Sequence, residues 1–143
     1  MLILLFTVIP MGVMAEEQTV NSNNQTVTVA TTVPNCTYRT HVENIGWQNW
    51  VSDGAESGTS GRSLRMEAIR IKLTGSEAHK FDVYYQAHVQ NRGWMAWVKN
   101  GEVAGTESLS YRMEAIRMVI LAKGASPPDE STAFKNVILM ISD

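Results

Sequence analysis

Apolar and polar side chains alternate with a period of two in two segments of the chain, residues 38–43 and 83–90. Successive side chains of a β-strand point to opposite faces, so this period predicts strands with one buried face. The first segment sets Tyr38, Thr40 and Val42 against Arg39, His41 and Glu43. The second sets Val83, Tyr85, Ala87 and Val89 against Tyr84, Gln86, His88 and Gln90.

Two later segments begin with the same period and then change phase by one residue. In one, Leu64, Met66 and Ala68 are followed by Ile69, Ile71 and Leu73; in the other, Tyr111, Met113 and Ala115 are followed by Ile116, Met118 and Ile120. One extra residue restores a single apolar face, which predicts a β-bulge near Ala68–Ile69 and near Ala115–Ile116, with Arg65, Glu67, Arg70 and Lys72 pointing outward. A helix is the alternative, because Leu64, Ala68 and Ile71 also fit a period of 3.6 and Glu, Ala, Met and Arg favour helices.

An internal repeat underlies this pattern. The sequence from Tyr38 to Leu73 returns without a gap from Tyr85 to Ile120, at an offset of 47 residues and with about half of the positions identical. A repeat of this length usually signals one supersecondary unit that must pack against its copies. Each unit is predicted to contain at least three short strands separated by glycine-rich turns.

Many short strands at even spacing predict an all-β fold. The duplication predicts a pseudo-symmetric repeat domain of the β-trefoil or β-prism type, which generally closes with three units. Two good units leave three alternatives open: an incomplete domain, recruitment of the N- and C-terminal strands, or a homo-oligomer.

The flanking sequences predict how the chain is divided. Residues 1–15 form an apolar run ending in Val13-Met14-Ala15 and are predicted to be a signal peptide, with a buried N-terminal helix as the alternative. Residues 16–36 are predicted to be a polar linker, although Thr26–Val29 could add an edge strand. The repeats are assigned to residues 37–81 and 82–124, and residues 125–143 to a C-terminal strand or the remnant of a third repeat. The mature chain is then expected to be secreted, without a membrane anchor.

The composition of the chain limits which binding partners are expected. The formal net charge of −2 and the scattered basic residues exclude a nucleic-acid footprint, which needs clustered Lys and Arg. Cys36 is the only cysteine, so a disulfide within the chain is impossible and the thiol is either free or bridged to another chain. We favour a free, inert thiol.

Four tryptophans are repeated and are the main candidates for function or packing. Trp47 and Trp94 follow a glycine and are predicted to fill the core between the repeats, where each buries roughly 150–250 Å². Trp50 and Trp97 are predicted to be partly exposed; either they cover the core or they stack on sugar rings. In the second case Asn49 and Asp53 would bind sugar hydroxyl groups, so Trp50, Trp97, Asn49 and Asp53 are the candidate ligand-binding residues.

The remaining repeated polar residues have better structural explanations. His41 and His88 lack convergent ligands for a metal, so we expect them to be hydrogen-bonded structural residues. Glu67 and Glu114 lack a second repeated carboxylate and are expected to pair across strands with Arg65 and Arg112. Neither a catalytic set nor a metal or cofactor motif is predicted, and Tyr38 and Tyr85 are assigned as further structural anchors.

The repeated signature is specific enough to identify a resemblance. Tyr-x-x-His-Val-x-Asn-x-Gly-Trp, then Gly-x-x-x-Gly-Thr and Arg-Met-Glu-Ala-Ile, resembles the ChW family, the clostridial hydrophobic repeats with a characteristic Trp. The resemblance implies an extracellular, non-catalytic module that attaches to a cell-surface polysaccharide, to a cell-wall polymer or to an extracellular protein. A small secreted hydrolase is a third and weaker hypothesis.

Overall fold

The computed structural model describes residues 13–20, 26–32, 34–129 and 140–141, and the side chains of residues 34–129. The chain divides into two compact units, residues 1–33 and 34–143. Among the described residues the regular structure consists of β-strands and one short 3-10 helix, Ala78–Lys80. The predicted all-β class is confirmed.

The first unit contains one hairpin. Strand β1 (Val13–Val20) pairs antiparallel with β2 (Thr26–Thr32), with Val20 opposite Thr26. The alternation at Thr26–Val29 therefore forms a strand, which was the alternative to a linker. The predicted signal peptide lies mainly outside the described residues, since only residues 13–15 of it fall within β1.

The second unit contains both repeats and the end of the chain. The first repeat supplies β3 (Asn35–Val42), β4 (Gly46–Trp47), β5 (Val51–Ser52) and β6 (Met66–Thr74). The second supplies β7 (Phe81–Val89), β8 (Gly93–Trp94), β9 (Val98–Lys99), β10 (Ala104–Gly105) and β11 (Met113–Ala122), and β12 (Met140–Ile141) follows. The phase-shifted segments are thus strands rather than helices. Of the predicted C-terminal apolar strand, residues 134–139 lie outside the described part.

Two antiparallel five-stranded sheets result, one built around each repeat. The first has the order β10-β6-β3-β4, with β5 also on β3, and the second has the order β12-β11-β7-β8, with β9 also on β7. Strand β10 belongs to the second repeat in sequence but to the first sheet in space. The second repeat therefore adds one of its strands to the sheet of the first repeat, and the two repeats also pack together.

The predicted bulges are present, one residue before their predicted positions. In the first sheet His41 pairs with Ala68 and Val42 with Met66, which leaves Glu67 as the extra residue. In the second sheet Glu114 is the extra residue between the pairs Val89–Met113 and His88–Ala115. Glu67 contacts His41 on the outer face, the side predicted for it, but it is buried there, 4% exposed.

The two sheets pack their apolar faces together. The buried cluster joins β6, β7, β10 and β11 and comprises Ile69, Ile71, Val83, Tyr85, Ala87, Val89, Ala104, Met113 and Ile116. The prediction that Trp47 and Trp94 fill this core needs correction, because neither belongs to it and Trp94 is 37% exposed. Each pairs across the strand with a histidine, His41 or His88, that lies on the outer face of its sheet, so the indole covers that face instead.

Candidate functional site

The outer face of the first sheet collects aromatic rings and cations. Strands β3 and β6 pair Arg39 directly with Arg70, and the neighbouring pair on the same face joins Thr37 to Lys72. Like charges opposite each other on a sheet are destabilising unless something separates or screens them. Here Trp47, carried by β4, contacts both guanidinium groups.

The contacts form a continuous series. The centre of the Trp47 ring lies 4.9 Å from the Arg70 guanidinium carbon and 5.1 Å from that of Arg39. The Arg39 guanidinium also lies 4.9 Å from the centre of the Trp50 ring, and the Lys72 ammonium lies 3.9 Å from the same ring. Cations at these distances from an indole are held by the ring quadrupole. We call Trp47, Trp50, Arg39, Arg70 and Lys72 the tryptophan face of the first repeat.

Acidic partners are missing from this face, as far as residues 34–129 describe it. Neither Arg39, Arg70 nor Lys72 forms an ion pair with a carboxylate there, and the Nε atoms of both arginines are buried without a hydrogen-bond acceptor. Arg70 Nη1 lies 3.5 Å from the Gly101 carbonyl oxygen, at the limit of a hydrogen bond. The face therefore carries three positive charges and unused donors.

At the positions corresponding to Arg39, Arg70 and Lys72, the second repeat has one cation, Arg117. Arg117 lies 4.3 Å from the Trp94 ring centre and 5.6 Å from that of Trp97. Gln86 stands where the first repeat has Arg39, and its Oε1 accepts a hydrogen bond from Arg117 Nε. Val119 stands where the first repeat has Lys72. The aromatic arrangement is thus duplicated but the charge is not.

A histidine and a glutamate support the first indole of each face. His41 Nδ1 lies 3.2 Å from Glu67 Oε2, and the His41 ring meets the Trp47 ring edge-on at 5.5 Å. Arg65 Nε donates to the other carboxylate oxygen of Glu67 at 2.9 Å. The predicted pairing of Arg65 with Glu67 is therefore present, but between residues two apart in one segment rather than across strands.

The second repeat has the same support in a more open form. His88 Nδ1 lies 3.1 Å from Glu114 Oε2, and the His88 ring meets the Trp94 ring at 5.3 Å. Arg112 Nε lies 3.4 Å from Glu114. The side chain of Glu114 is 34% exposed, against 5% for Glu67. In both repeats the glutamate lies between a histidine and an arginine, and the structural role of these residues stays a prediction.

The four candidate ligand-binding residues do not converge on one point. Trp50 and Trp97 are half-buried in their respective faces. Asn49 is exposed and lines a shallow cleft of about 240 Å³ with Glu56 and Ser57. Asp53 adopts a left-handed turn conformation (φ +56°) at the end of β5, and its negative charge adds to the effect of burial in raising the pKa of the Cys36 thiol.

The structural tyrosines lie on the inner side, away from the tryptophan faces. Tyr85 is fully buried, and burial is the main reason that its pKa is raised. Tyr38 is partly buried against the same core. The Tyr38 hydroxyl donates to the Ala55 carbonyl at 2.6 Å, and the Tyr85 hydroxyl donates to the equivalent Glu102 carbonyl at 2.5 Å.

Sequence reasoning missed Arg39, Arg70, Lys72 and Arg117. The signal was available in the repeat pattern, because these residues alternate with the core positions of the same strands. The predicted bulge already placed Arg70 and Lys72 on the outer face. The sequence did not show the register of the two strands, which pairs Arg39 with Arg70 beside the indoles.

The described part of the chain contains no group of three or more His, Cys, Asp or Glu side chains that could hold a metal ion. Nor do the described residues include a helix of the length and apolarity needed to cross a membrane.

Comparison with known proteins points to one family. Neither the curated proteins nor the solved structures include a match to this chain. The family model described as Clostridial hydrophobic W matches twice, at residues 41–75 and 88–121, and these regions contain both tryptophan pairs. The chain therefore belongs to the ChW family and carries two copies of its repeat.

Proposed function

We propose that this repeat protein is a secreted, non-catalytic binding module that attaches to cell-surface or cell-wall carbohydrate through the tryptophan face of the first repeat. The observation that carries the proposal is the set of three cations, Arg39, Arg70 and Lys72, that contact two indoles without an acidic partner among residues 34–129. The ligand class is a polysaccharide or wall polymer bearing phosphate or carboxylate groups.

The cations favour an acidic polymer over a neutral one. Both indoles already contact the protein's own cations, so their faces are less open to sugar rings than free indoles would be. An arginine held by aromatic contact keeps its remaining N–H donors in a fixed fork that matches phosphate or carboxylate. The indole edges remain beside these donors to contact the sugar.

The two repeats are expected to contribute unequally. Of the three cation positions, the second face keeps only Arg117, and that guanidinium already donates to Gln86. Trp94 is the most exposed of the repeated indoles and offers an apolar surface instead of charge. We therefore assign the primary anion contact to the first repeat and a weaker, apolar contact to the second.

An extracellular protein with an acidic surface is the competing partner. Such a protein would use the same three cations but would be lost when cell-surface material is treated with protease. A polymer of acidic sugars would be retained after protease and lost after chemical removal of its anionic groups. The experiment below includes the protease treatment.

The test replaces two cations of the first repeat by the residues that stand at the equivalent positions of the second repeat. The double variant Arg39→Gln, Lys72→Val changes two positions and leaves all four indoles in place. Its matched control is Arg62→Gln, Lys80→Val, which removes the same charge from exposed residues elsewhere. Binding to protease-treated, insoluble bacterial cell-wall material is measured by co-sedimentation over a range of protein concentrations.

We expect the Arg39→Gln, Lys72→Val chain to bind at least about tenfold more weakly, because hydrogen bonds to charged groups contribute roughly 1.5–3 kcal/mol each. The control should bind like the parent. Equal binding by the parent and the Arg39→Gln, Lys72→Val chain would overturn the assignment of the site. Loss of parent binding after protease treatment would favour the protein partner.

A further inference from the structure

Strand β10 shows how one repeat docks on another. Ala104 pairs with Ile69 and Gly105 with Ala68 of the preceding repeat, and the Thr106 N–H donates to the Glu67 carbonyl at 3.0 Å. We call residues 104–106 the docking segment of the second repeat, and residues 67–69 the docking site of the first. The docking site includes the bulge residue Glu67.

Glycine is required in this contact. A Cβ on Gly105 would lie 2.4 Å from the Glu67 carbonyl oxygen and 2.8 Å from the Ala68 Cα, and the backbone there has φ +106°. Both the close approach and the positive φ favour glycine. The Gly-Thr pair of the repeat signature is thus explained by docking between repeats.

The second repeat has an equivalent docking site, residues 114–116, and another part of the chain occupies it. Strand β12 pairs Met140 with Ile116 and Ile141 with Ala115. Shifted by the repeat offset, these are the register positions of Ala104 and Gly105 on the first repeat. An isoleucine therefore stands at the register position where the repeat signature has glycine.

The first repeat has its own docking segment, Ser57-Gly58-Thr59, and among the described residues no strand pairs with it. Gln48 holds it from one side: its Oε1 accepts from the Gly58 N–H at 2.6 Å and its Nε2 donates to the Gly58 carbonyl at 2.9 Å. Within the described part of the chain, the backbone groups of Ser57 and Thr59 form no hydrogen bond with other backbone groups, so they are available to pair with a strand.

The free segment and the second docking site are not paired within one chain. The same apolar cavity, of about 410 Å³, is lined by Ser57 and by Glu114, Ala115 and Ile116. A Cβ on Gly58 would contact only the Met66 methyl carbon, at 3.9 Å, within its own chain. As far as the described residues show, the chain thus presents one unpaired docking segment and one docking site covered by a segment from outside the repeats.

We propose that a second copy of this chain docks its residues 57–59 on residues 114–116, displacing β12, so that β12 limits head-to-tail association of the repeats. The contact would reproduce the one between β10 and β6, with Gly58 opposite Ala115 and Ser57 opposite Ile116. The interface is heterologous, so one copy of a docked pair keeps its docking site free, the other keeps its docking segment free, and each can engage a further copy. The interface is separate from the tryptophan face, and its test is independent of carbohydrate binding.

The experiment uses the full chain with Met140→Pro and Ile141→Pro. Neighbouring backbone N–H groups of a strand alternate in direction, so the double substitution removes whichever one faces β11. Sedimentation velocity over a concentration series measures self-association. We expect the double-proline chain to associate at least about tenfold more tightly than the parent.

Glycine variants identify the docking segment. Gly58→Ala added to the double-proline chain should abolish association, because its Cβ would meet the Glu114 carbonyl of the other copy as a Cβ on Gly105 would meet Glu67. Gly124→Ala is the matched control, since Gly124 also has a positive φ and has nothing within 4 Å of its Cβ position. A double-proline chain that stays monomeric, or association that Gly58→Ala leaves unchanged, would overturn the proposal.

Cysteine trapping in the otherwise unaltered chain covers the case in which the proline variant does not fold. Two Cys36→Ser chains are mixed and oxidised, one with Ser57→Cys and the other with Ile116→Cys, and mass spectrometry detects the mixed disulfide. Directly opposite residues have Cβ atoms about 4.5–5.5 Å apart, close to disulfide geometry. Lys123→Cys replaces Ser57→Cys in the control. Equal yields of the two mixed disulfides would also reject the proposal.

Discussion

The Tyr85 hydroxyl joins the two repeats: it accepts a hydrogen bond from the Ile71 N–H at 3.1 Å and donates one to the Glu102 carbonyl at 2.5 Å. Ile71 belongs to the first repeat, whereas Tyr85 and Glu102 belong to the second. Tyr38, the equivalent residue, donates to the Ala55 carbonyl of its own repeat. The equivalent tyrosine therefore holds a loop of its own repeat in both copies. Tyr85 also holds strand β6 of the first repeat.

Replacing Tyr85 by Phe should cost more stability than replacing Tyr38 by Phe. The Tyr85→Phe change leaves the buried Ile71 N–H and the part-buried Glu102 carbonyl without their partner, and an unsatisfied buried group costs about 1–3 kcal/mol. Tyr38→Phe removes one bond at a more exposed site, for which about 1 kcal/mol is expected. Urea denaturation of the two variants measures the difference, and equal losses would contradict the bridging role of Tyr85.

Much of this fold could be predicted because its signals are local. The period of two identified the inner face of β7, and the phase change identified a bulge in each repeat. The sequence could not show that β10 would join the other repeat's sheet, since Ala104-Gly105 has neither strand length nor an alternating pattern. Its pairing depends on a close approach of two backbones, which is a property of the folded chain.

Gly105→Ala should destabilise the chain by separating the repeats at β10. The added Cβ would lie 2.4 Å from the Glu67 carbonyl oxygen, so the strand must move, and overpacking of this kind costs about 1–3 kcal/mol. The positive φ adds about 1 kcal/mol more. Gly124→Ala carries only the cost of the positive φ, so the difference in urea midpoints between the two variants measures the inter-repeat contact. Similar losses in the two variants would show that β10 tolerates the added carbon.

The tryptophans show where prediction from sequence fails. A Gly-Trp pair next to alternating apolar residues predicts a core indole, because large apolar side chains are mostly buried. The core is instead filled by Tyr85 and aliphatic side chains, and Trp47 and Trp94 cover cations on the outer faces. Burial against aliphatic side chains and burial against arginine leave the same pattern in a sequence. Only the register of the paired strands separates the two cases.

Acid should destabilise the second repeat through Asp82. This buried carboxylate accepts hydrogen bonds from Lys123 Nζ, the Gly124 N–H and Asn100 Nδ2, and these bonds lower its pKa well below the ordinary value. A carboxyl whose pKa is lowered by folding adds stability above its unfolded pKa of about 3.9, and that stability is lost as the pH falls towards the folded value.

Asp82→Asn should therefore reduce stability at pH 6 and weaken the loss of stability between pH 6 and pH 3. Melting temperatures of the parent and the variant across this range measure both effects. Asp53→Asn, at an exposed turn, serves as the control and should keep the pH dependence of the parent. An Asp82→Asn curve parallel to that of the parent would exclude Asp82 as the source.

The two bulge glutamates should differ in their contribution to stability although they occupy equivalent positions. Glu67 is buried, and both of its carboxylate oxygens are engaged, one with Arg65 at 2.9 Å and the other with His41 at 3.2 Å. Glu67→Gln removes the charge that these two groups face and is expected to cost about 1–3 kcal/mol. Glu114 has the equivalent partners, His88 and Arg112, in a more exposed setting, where ion pairs contribute about 0–1 kcal/mol. Urea denaturation compares the two variants, which carry the same Glu→Gln change. A larger loss of stability for Glu114→Gln would mean that burial of the bulge residue does not set the strength of this contact.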